Sequence, residues 1–165
     1  MSTAKLARIA LFSAILFVSQ VALAFIPNCE VVSLLIIVLT LVYGKEMILT
    51  SIVFSMLECI VYGVGLWTIM YIYIWPVLVL ITLFFKRWVK SYSVWAVISG
   101  CFGLLFGTLC TLVYIPLGWS YMISYWISGI PWDIWHGATN FMLMLVLGPV
   151  LARTMKGIQY GQRRS

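Results

Sequence analysis

The sequence predicts an all-α integral membrane protein with six transmembrane helices and both termini in the cytoplasm, and three observations carry that expectation. Hydrophobic residues make up 64% of the 165-residue chain and charged residues only 8%, against about 25% charged in a soluble domain. That is more apolar surface than one small core can hide. The apolar runs recur along the whole chain, and six spans of about 20 residues at 1.5 Å rise use nearly all of it. The ten Lys and Arg residues fall into clusters: Lys5 and Arg8; Lys45; Lys86, Arg87 and Lys90; Arg153, Lys156, Arg163 and Arg164. Between the clusters the chain makes three out-and-back excursions without a basic residue. Short cytoplasmic loops keep Lys and Arg whereas translocated ones lack them, so the pattern sets span number and orientation together.

The first span is expected over about 6–26, stopped by Pro27-Asn28. Proline disfavours helix in the residue before it and asparagine suits a turn. Ala22-Leu23-Ala24 resembles a signal-peptide cleavage site, but the apolar run is long for a signal and further spans follow, so the segment is kept as a span. The second span, about 31–43, is short and suits a helix little tilted or partly buried within the bundle. Gly44-Lys45-Glu46 makes a tight inner turn, and the third span covers about 47–62. Gly63-Val64-Gly65 breaks it and opens an outer loop through Trp67.

The fourth span, about 69–85, contains Pro76, which removes one backbone hydrogen bond and kinks the helix. Residues 86–90 form the central inner loop. The fifth span, about 94–115, ends at Pro116 and Gly118. The stretch 119–132 is the longest outer connection, rich in Trp, Tyr, Ser and Gly, and suits a lid lying at the membrane interface. The sixth span, about 133–151, is followed by a basic tail. No internal repeat suggests an inverted-repeat transporter. All 165 residues are expected to form one membrane domain, which leaves no room for an ATPase or other soluble catalytic unit.

Composition and spacing argue against several functions. The net charge of +6 reads as a topology signal, because dispersed cations separated by spans do not make a nucleic-acid surface. The four cysteines, Cys29, Cys59, Cys101 and Cys110, match no metal motif. Cys59, Cys101 and Cys110 read as packing residues in apolar runs, and Cys29 as an unpaired residue facing outside. One His and scattered acids do not build a metal site. No nucleophile–base set supports an intramembrane enzyme.

Ionisable residues inside spans are costly and point to function. Glu58 lies about one turn from the outer end of the third span, with Tyr62 at i+4 on the same face. It is either a site carboxyl or a structural one hydrogen-bonded to a neighbouring helix. Asp133, His136 and Asn140 stand at i, i+3 and i+7, one stripe of the sixth span. Asp133 equally suits a helix cap, and His136 equally suits an interhelical hydrogen bond. The outer half is rich in aromatics, among them Trp67, Tyr71, Tyr73, Trp75, Trp119, Tyr121, Tyr125, Trp126, Trp132 and Trp135. An interfacial belt accounts for many. The inner side holds only Tyr43, Trp88, Tyr92 and Trp95, and the excess outside fits stacking surfaces for a flat ligand, with Tyr71 and Trp75 lining one wall. Ala10 and Ala14 on the first span, and Gly100, Gly103 and Gly107 on the fifth, mark close helix contacts. Either pattern serves packing within the bundle, and the alanine pair also suits docking of another membrane subunit.

These features together resemble the substrate-binding S component of energy-coupling factor (ECF) vitamin transporters. The likeness covers almost the whole chain. It rests on the small six-span layout, the Ala10-xxx-Ala14 first span, the stretch Ile26-Pro27-Asn28-Cys29-Glu30-Val31-Val32-Ser33-Leu34-Leu35, and Gly129-Ile130-Pro131-Trp132-Asp133-Ile134-Trp135-His136 continuing to Asn140-Phe141. The resemblance implies a multi-pass protein of a bacterial plasma membrane that captures a vitamin in an outward pocket. It implies docking, through Ala10 and Ala14, on a transmembrane T subunit and two ATPases. The S component then topples in the membrane, ATP is used by the partners, and no cofactor is bound by this chain. Glu58 has no counterpart transferable from the family, and its candidacy rests on position.

The outer half holds Glu30, Glu58 and Asp133 and no Lys or Arg, which disfavours carboxylate or phosphate ligands. A neutral or cationic heteroaromatic fits better. The order is vitamin B6 of the pyridoxine type, then cobalamin, then thiamine. The expected binding residues are Glu58, Tyr62, Trp67, Tyr71, Trp75, Trp132, Asp133, His136 and Asn140. The rival expectations are a self-sufficient small-molecule exporter or channel, and a structural membrane protein in which Glu58 and His136 only hold helices together.

Overall fold

The computed structural model describes residues 1–162, so Arg163 and Arg164 of the basic tail lie outside the described residues. The chain forms α1 (Thr3–Leu23), α2 (Val32–Tyr43), α3 (Glu46–Tyr62), α4 (Leu66–Phe85) and α5 (Tyr92–Cys110). A 3-10 segment (Thr111–Leu117) then leads into α6 (Trp119–Gln162). No strand occurs among the described residues.

The turns follow from local chemistry. Gly44 (φ 70°) and Gly63 (φ 84°) occupy left-handed backbone at the ends of α2 and α3, which costs glycine least. The turn into α4 is closed by Thr68, whose Oγ1 accepts from Gly65 N–H at 2.8 Å and donates to Gly63 O at 3.1 Å.

Four stretches are long and apolar enough to cross a membrane: Thr3–Leu23, Leu66–Phe85, Tyr92–Leu117 and Trp119–Gly161. The twelve-residue α2 is only about 18 Å long at 1.5 Å per residue. It sits inside the bundle, with Val32, Ile36, Ile37 and Val38 fully buried, the second of the two dispositions expected for a short span. The bundle closes around Trp75, Trp95, Phe54 and Leu16. Outward it presents Leu11, Val18, Leu80, Val97, Leu105, Val146 and Val150, all strongly exposed, an apolar exterior suited to hydrocarbon rather than water.

Three expectations about elements change. The stretch 119–132 is not a separate lid: it is the first third of α6, continuous with the sixth-span region and helical through Pro131 and Pro149. At 44 residues this helix is about 66 Å long, roughly twice a hydrocarbon core. Asp133 therefore lies mid-helix and caps nothing. The fifth span loses α geometry after Cys110 and finishes as the 3-10 segment, with Pro116 inside it. The outer loop expected to run through Trp67 is only residues 63–65, and Trp67 belongs to the first turn of α4. Helix α4 continues past Pro76.

The small residues of α5 pack against α6. A Cβ on Gly103 would fall 2.8 Å from Gly137 Cα, so the backbones meet with no side chain between them, as the packing reading of that motif requires.

The bundle is polar end to end in charge. Arg8 reaches Glu46 at 3.2 Å, Lys86 lies over Gly44, and Lys86, Arg87, Lys90 and Lys156 line one cavity with Leu41. Among the described residues these cations thus gather at one pole. Glu30 and Asp133 stand at the other.

Candidate functional site

Two cavities at the acidic pole share Pro27, Asn28 and Phe106 in their walls and together form a cup. The first, about 220 Å³, is enclosed by Gln20, Glu30, Tyr71, Trp75, Phe106 and His136. The second, about 460 Å³, is bounded by Gly107, Cys110, Tyr125, Ser128, Trp132 and Asp133.

The segment between α1 and α2 is pinned over the first cavity. Asn28 adopts φ 52°, a left-handed conformation asparagine tolerates better than most residues, and its carbonyl accepts from Thr139 Oγ1 at 3.1 Å. Glu30 follows. Its Oε2 accepts from Ser33 N–H in the first turn of α2 at 2.8 Å, where the helix dipole favours negative charge. Its Oε1 lies 3.2 Å from His136 Nε2. Burial alone pushes the Glu30 carboxyl upward in pKa. The His136 hydrogen bond and charge, with the bonds from Ser33, outweigh burial and leave it below its ordinary value.

An ionised carboxylate only accepts, so the hydrogen between the two residues resides on His136 Nε2. His136 Nδ1 is buried and has no hydrogen-bond partner. Two neighbours in the same wall share that condition. Trp75 Nε1 is a donor without an acceptor, and Gln20, whose Nε2 donates to Tyr71 Oη at 3.1 Å, has Oε1 unpartnered. Leaving a buried polar atom unsatisfied costs about 1–3 kcal/mol, and native interiors rarely do it without a function. All three atoms belong to residues that line the first cavity.

Aromatic faces complete the first cavity. Tyr71 and Trp75 stand edge to face at 5.2 Å, Trp75 meets Phe106 at 5.7 Å, and Phe106 meets the His136 ring at 4.8 Å. In the second cavity Asp133 Oδ1 accepts from Gly107 N–H at 2.9 Å. A Cβ at 107 would run into the Asp133 carboxylate and displace it from this bond. Trp126 Nε1 donates to Thr108 Oγ1 at 2.9 Å, and Tyr114 stacks on Tyr125 at 4.2 Å, which holds the early part of α6 against the cup.

The structure therefore brings Tyr71, Trp75, Trp132, Asp133 and His136 together. It does not bring Glu58, Tyr62, Trp67 or Asn140 to either wall. Glu58 is 1% exposed, with Oε1 unpartnered, and lies on α3, where Ser55 Oγ donates to Tyr71 O at 2.7 Å. Tyr62, paired with Glu58 by spacing, is 48% exposed because α3 ends there. Trp67 sits at the open end of an aromatic ladder, 5.5 Å from Tyr62 and 5.7 Å from Tyr71. Asn140 is buried one turn past His136, and neither amide atom has a partner. Ala10 and Ala14 are both exposed on α1, beside Leu11 and Val18. Cys101, expected as a packing residue, is exposed.

Gln20, Glu30, Phe106 and Tyr125 were not among the expected binding residues. Glu30 carried a signal, as one of the few acids of the outer half. Gln20 and Phe106 carried none, since their spacing is that of ordinary helix positions. No group of three His, Cys, Asp or Glu side chains among the described residues is placed to hold a metal ion. Comparisons with known protein families, with curated proteins and with solved structures returned no match.

Proposed function

We propose that this chain is the substrate-binding S component of an ECF-type ABC importer. On this reading it is a six-span protein of a bacterial plasma membrane with both termini in the cytoplasm. It captures a small water-soluble vitamin from outside and releases it after docking, through Ala10 and Ala14, on a T subunit and two ATPases. It acts as a binder and not as an enzyme, and ATP is spent by the partners.

The observation that carries the proposal is the first cavity. His136, Trp75 and Gln20, each with a buried polar atom that has no partner, line it beside aromatic faces, at the pole opposite the basic clusters. If cations stay in the cytoplasm, that cavity faces outward. Exposed Ala10 and Ala14 are consistent with a docking face.

The chemistry of the walls narrows the ligand. Neither cavity has a Lys or Arg in its lining, so a carboxylate or phosphate would find no cation to meet it. A ring with donor and acceptor atoms suits His136 Nδ1, Trp75 Nε1–H and Gln20 Oε1, and aromatic walls suit its faces. Pyridoxine-type vitamin B6 is the first choice, since one small ring matches a cavity of about 220 Å³. Cobalamin is second and, being much larger than the second cavity of about 460 Å³, would rest on it and extend outward past Trp132 and Tyr125. Thiamine is third.

Native mass spectrometry of the purified chain, followed by calorimetry with pyridoxine, cobalamin and thiamine, tests the proposal. The expected result is one retained vitamin, or saturable heat with one of the three, from the chain without partners. No retained molecule and no heat with any of them would overturn the vitamin reading.

A further inference from the structure

We infer that the basic pole holds one anionic glycerophospholipid, its phosphate seated among Lys86, Arg87, Lys90 and Lys156 and an acyl chain laid along the groove between α4 and α5. This site rests on the chain residing in a membrane, and on nothing about vitamins or partner subunits.

A cavity of about 350 Å³ is lined by these four cations together with Tyr92 and Trp95, and no carboxylate is among its lining residues. The chain has only four acidic side chains, and none of them lines this cavity. Glu46 is held by Arg8 at 3.2 Å and shares a neighbouring cavity with Lys86, Glu30 is engaged by His136 and Ser33, Asp133 by Gly107, and Glu58 is buried on α3. Within this cavity the four cations therefore repel one another with no carboxylate side chain among them, and only Lys86 also borders Glu46. The contacts they do make leave that charge in place: Lys90 Nζ donates to the Lys86 carbonyl at 3.4 Å, and the Arg87 guanidinium stacks 3.7 Å from the Trp88 ring. Trp88 and Phe84 are both more than half exposed, the amphipathic setting of a headgroup interface.

The second observation is the groove. A cleft of about 420 Å³ between α4 and α5 is walled by Val77, Ile81, Phe85, Val97, Cys101 and Leu105, and no charged side chain lines it. Its basic-pole end is Phe85, the residue immediately before Lys86. Free phosphate would engage the cations and leave the groove empty. A detergent or neutral lipid would fill the groove and leave the cations unneutralised. A lipid with a net negative headgroup satisfies both, and basic pockets between membrane helices bind such headgroups.

The test is native mass spectrometry of detergent-extracted protein titrated with phosphatidylglycerol and with phosphatidylcholine of identical acyl chains. One phosphatidylglycerol should be retained with about tenfold preference over phosphatidylcholine. The triple change Lys86→Gln, Arg87→Gln, Lys90→Gln should bring that preference to about one, and exposed Lys90→Gln alone should lower it part of the way while leaving the melting temperature unchanged. Leu105→Trp should weaken retention of both lipids alike. Equal retention of the two lipids by the wild type, or undiminished preference in both charge variants, overturns the site. Displacement of phosphatidylglycerol by millimolar inorganic phosphate, with no effect of Leu105→Trp, replaces the lipid by a free anion and also overturns it. Recovery of the chain in the aqueous fraction before extraction overturns membrane residence itself, a result separable from the others.

Discussion

The Glu30–His136 pair joins side chains 106 positions apart in the chain and does two things. It ties the segment before α2 to the middle of α6, and it leaves Nδ1 as the imidazole nitrogen without a partner. Glu30→Gln should weaken the tie, and His136→Ala should remove both the tie and the unpartnered nitrogen. Each change should lower vitamin affinity about tenfold, the scale of one hydrogen bond to a charged group. Calorimetry giving wild-type affinity in both variants would place the ligand elsewhere. The same pair predicts a pH response. Because the Glu30 pKa is lowered in the folded protein, the pair contributes stability fully above the ordinary carboxylate range. That contribution is lost as the pH falls through Glu30's lowered value. Melting temperature followed down to acid pH should therefore drop more steeply for the wild type than for Glu30→Gln. Parallel curves would show that the pair contributes nothing to stability.

At the scale of elements, α5 and α6 are the rigid wall of the cup, and their closeness depends on glycine. Gly103→Leu would drive a side chain into Gly137, forcing the helices apart at a cost of about 1–3 kcal/mol or more. It should lower the melting temperature and weaken binding together. Gly157→Ala, with open space where its Cβ would go, should leave both unchanged. On α1, the exposed Ala10 and Ala14 make the opposite prediction. Ala14→Trp should leave vitamin binding by the purified chain intact and abolish uptake by cells carrying the full transporter. Normal uptake would remove docking from that face.

For the molecule as a whole, charge segregation sets the expected orientation. The basic clusters share one pole and the cup sits at the other, so reporters fused after Lys90 and after Arg164 should both report cytoplasm. An external location for either would invert the cup and end the capture proposal. The short α2 finds its place at this scale too. Twelve residues are too few to cross a bilayer core unaided, and neighbouring helices bury most of α2, as a polar backbone at membrane depth would require.

The helical class, most helix positions, the charge clusters and half of the cup were legible from residues alone. Apolar run length and the gaps between cations are local properties that no packing alters. Tyr71, Trp75, Trp132, Asp133 and His136 belonged to that legible half because their residue types are costly or rare inside a bundle. Tertiary structure decided the rest. It made 119–132 part of one long helix, turned Asp133 from a cap into an acceptor for Gly107, kept Glu58 off the cup, and supplied Gln20, Glu30 and Phe106 to its walls. Which side chains share a cavity depends on how helices distant in sequence rotate and approach. That is governed by contacts such as Gly103 on Gly137 and Glu30 on His136, which no local pattern encodes.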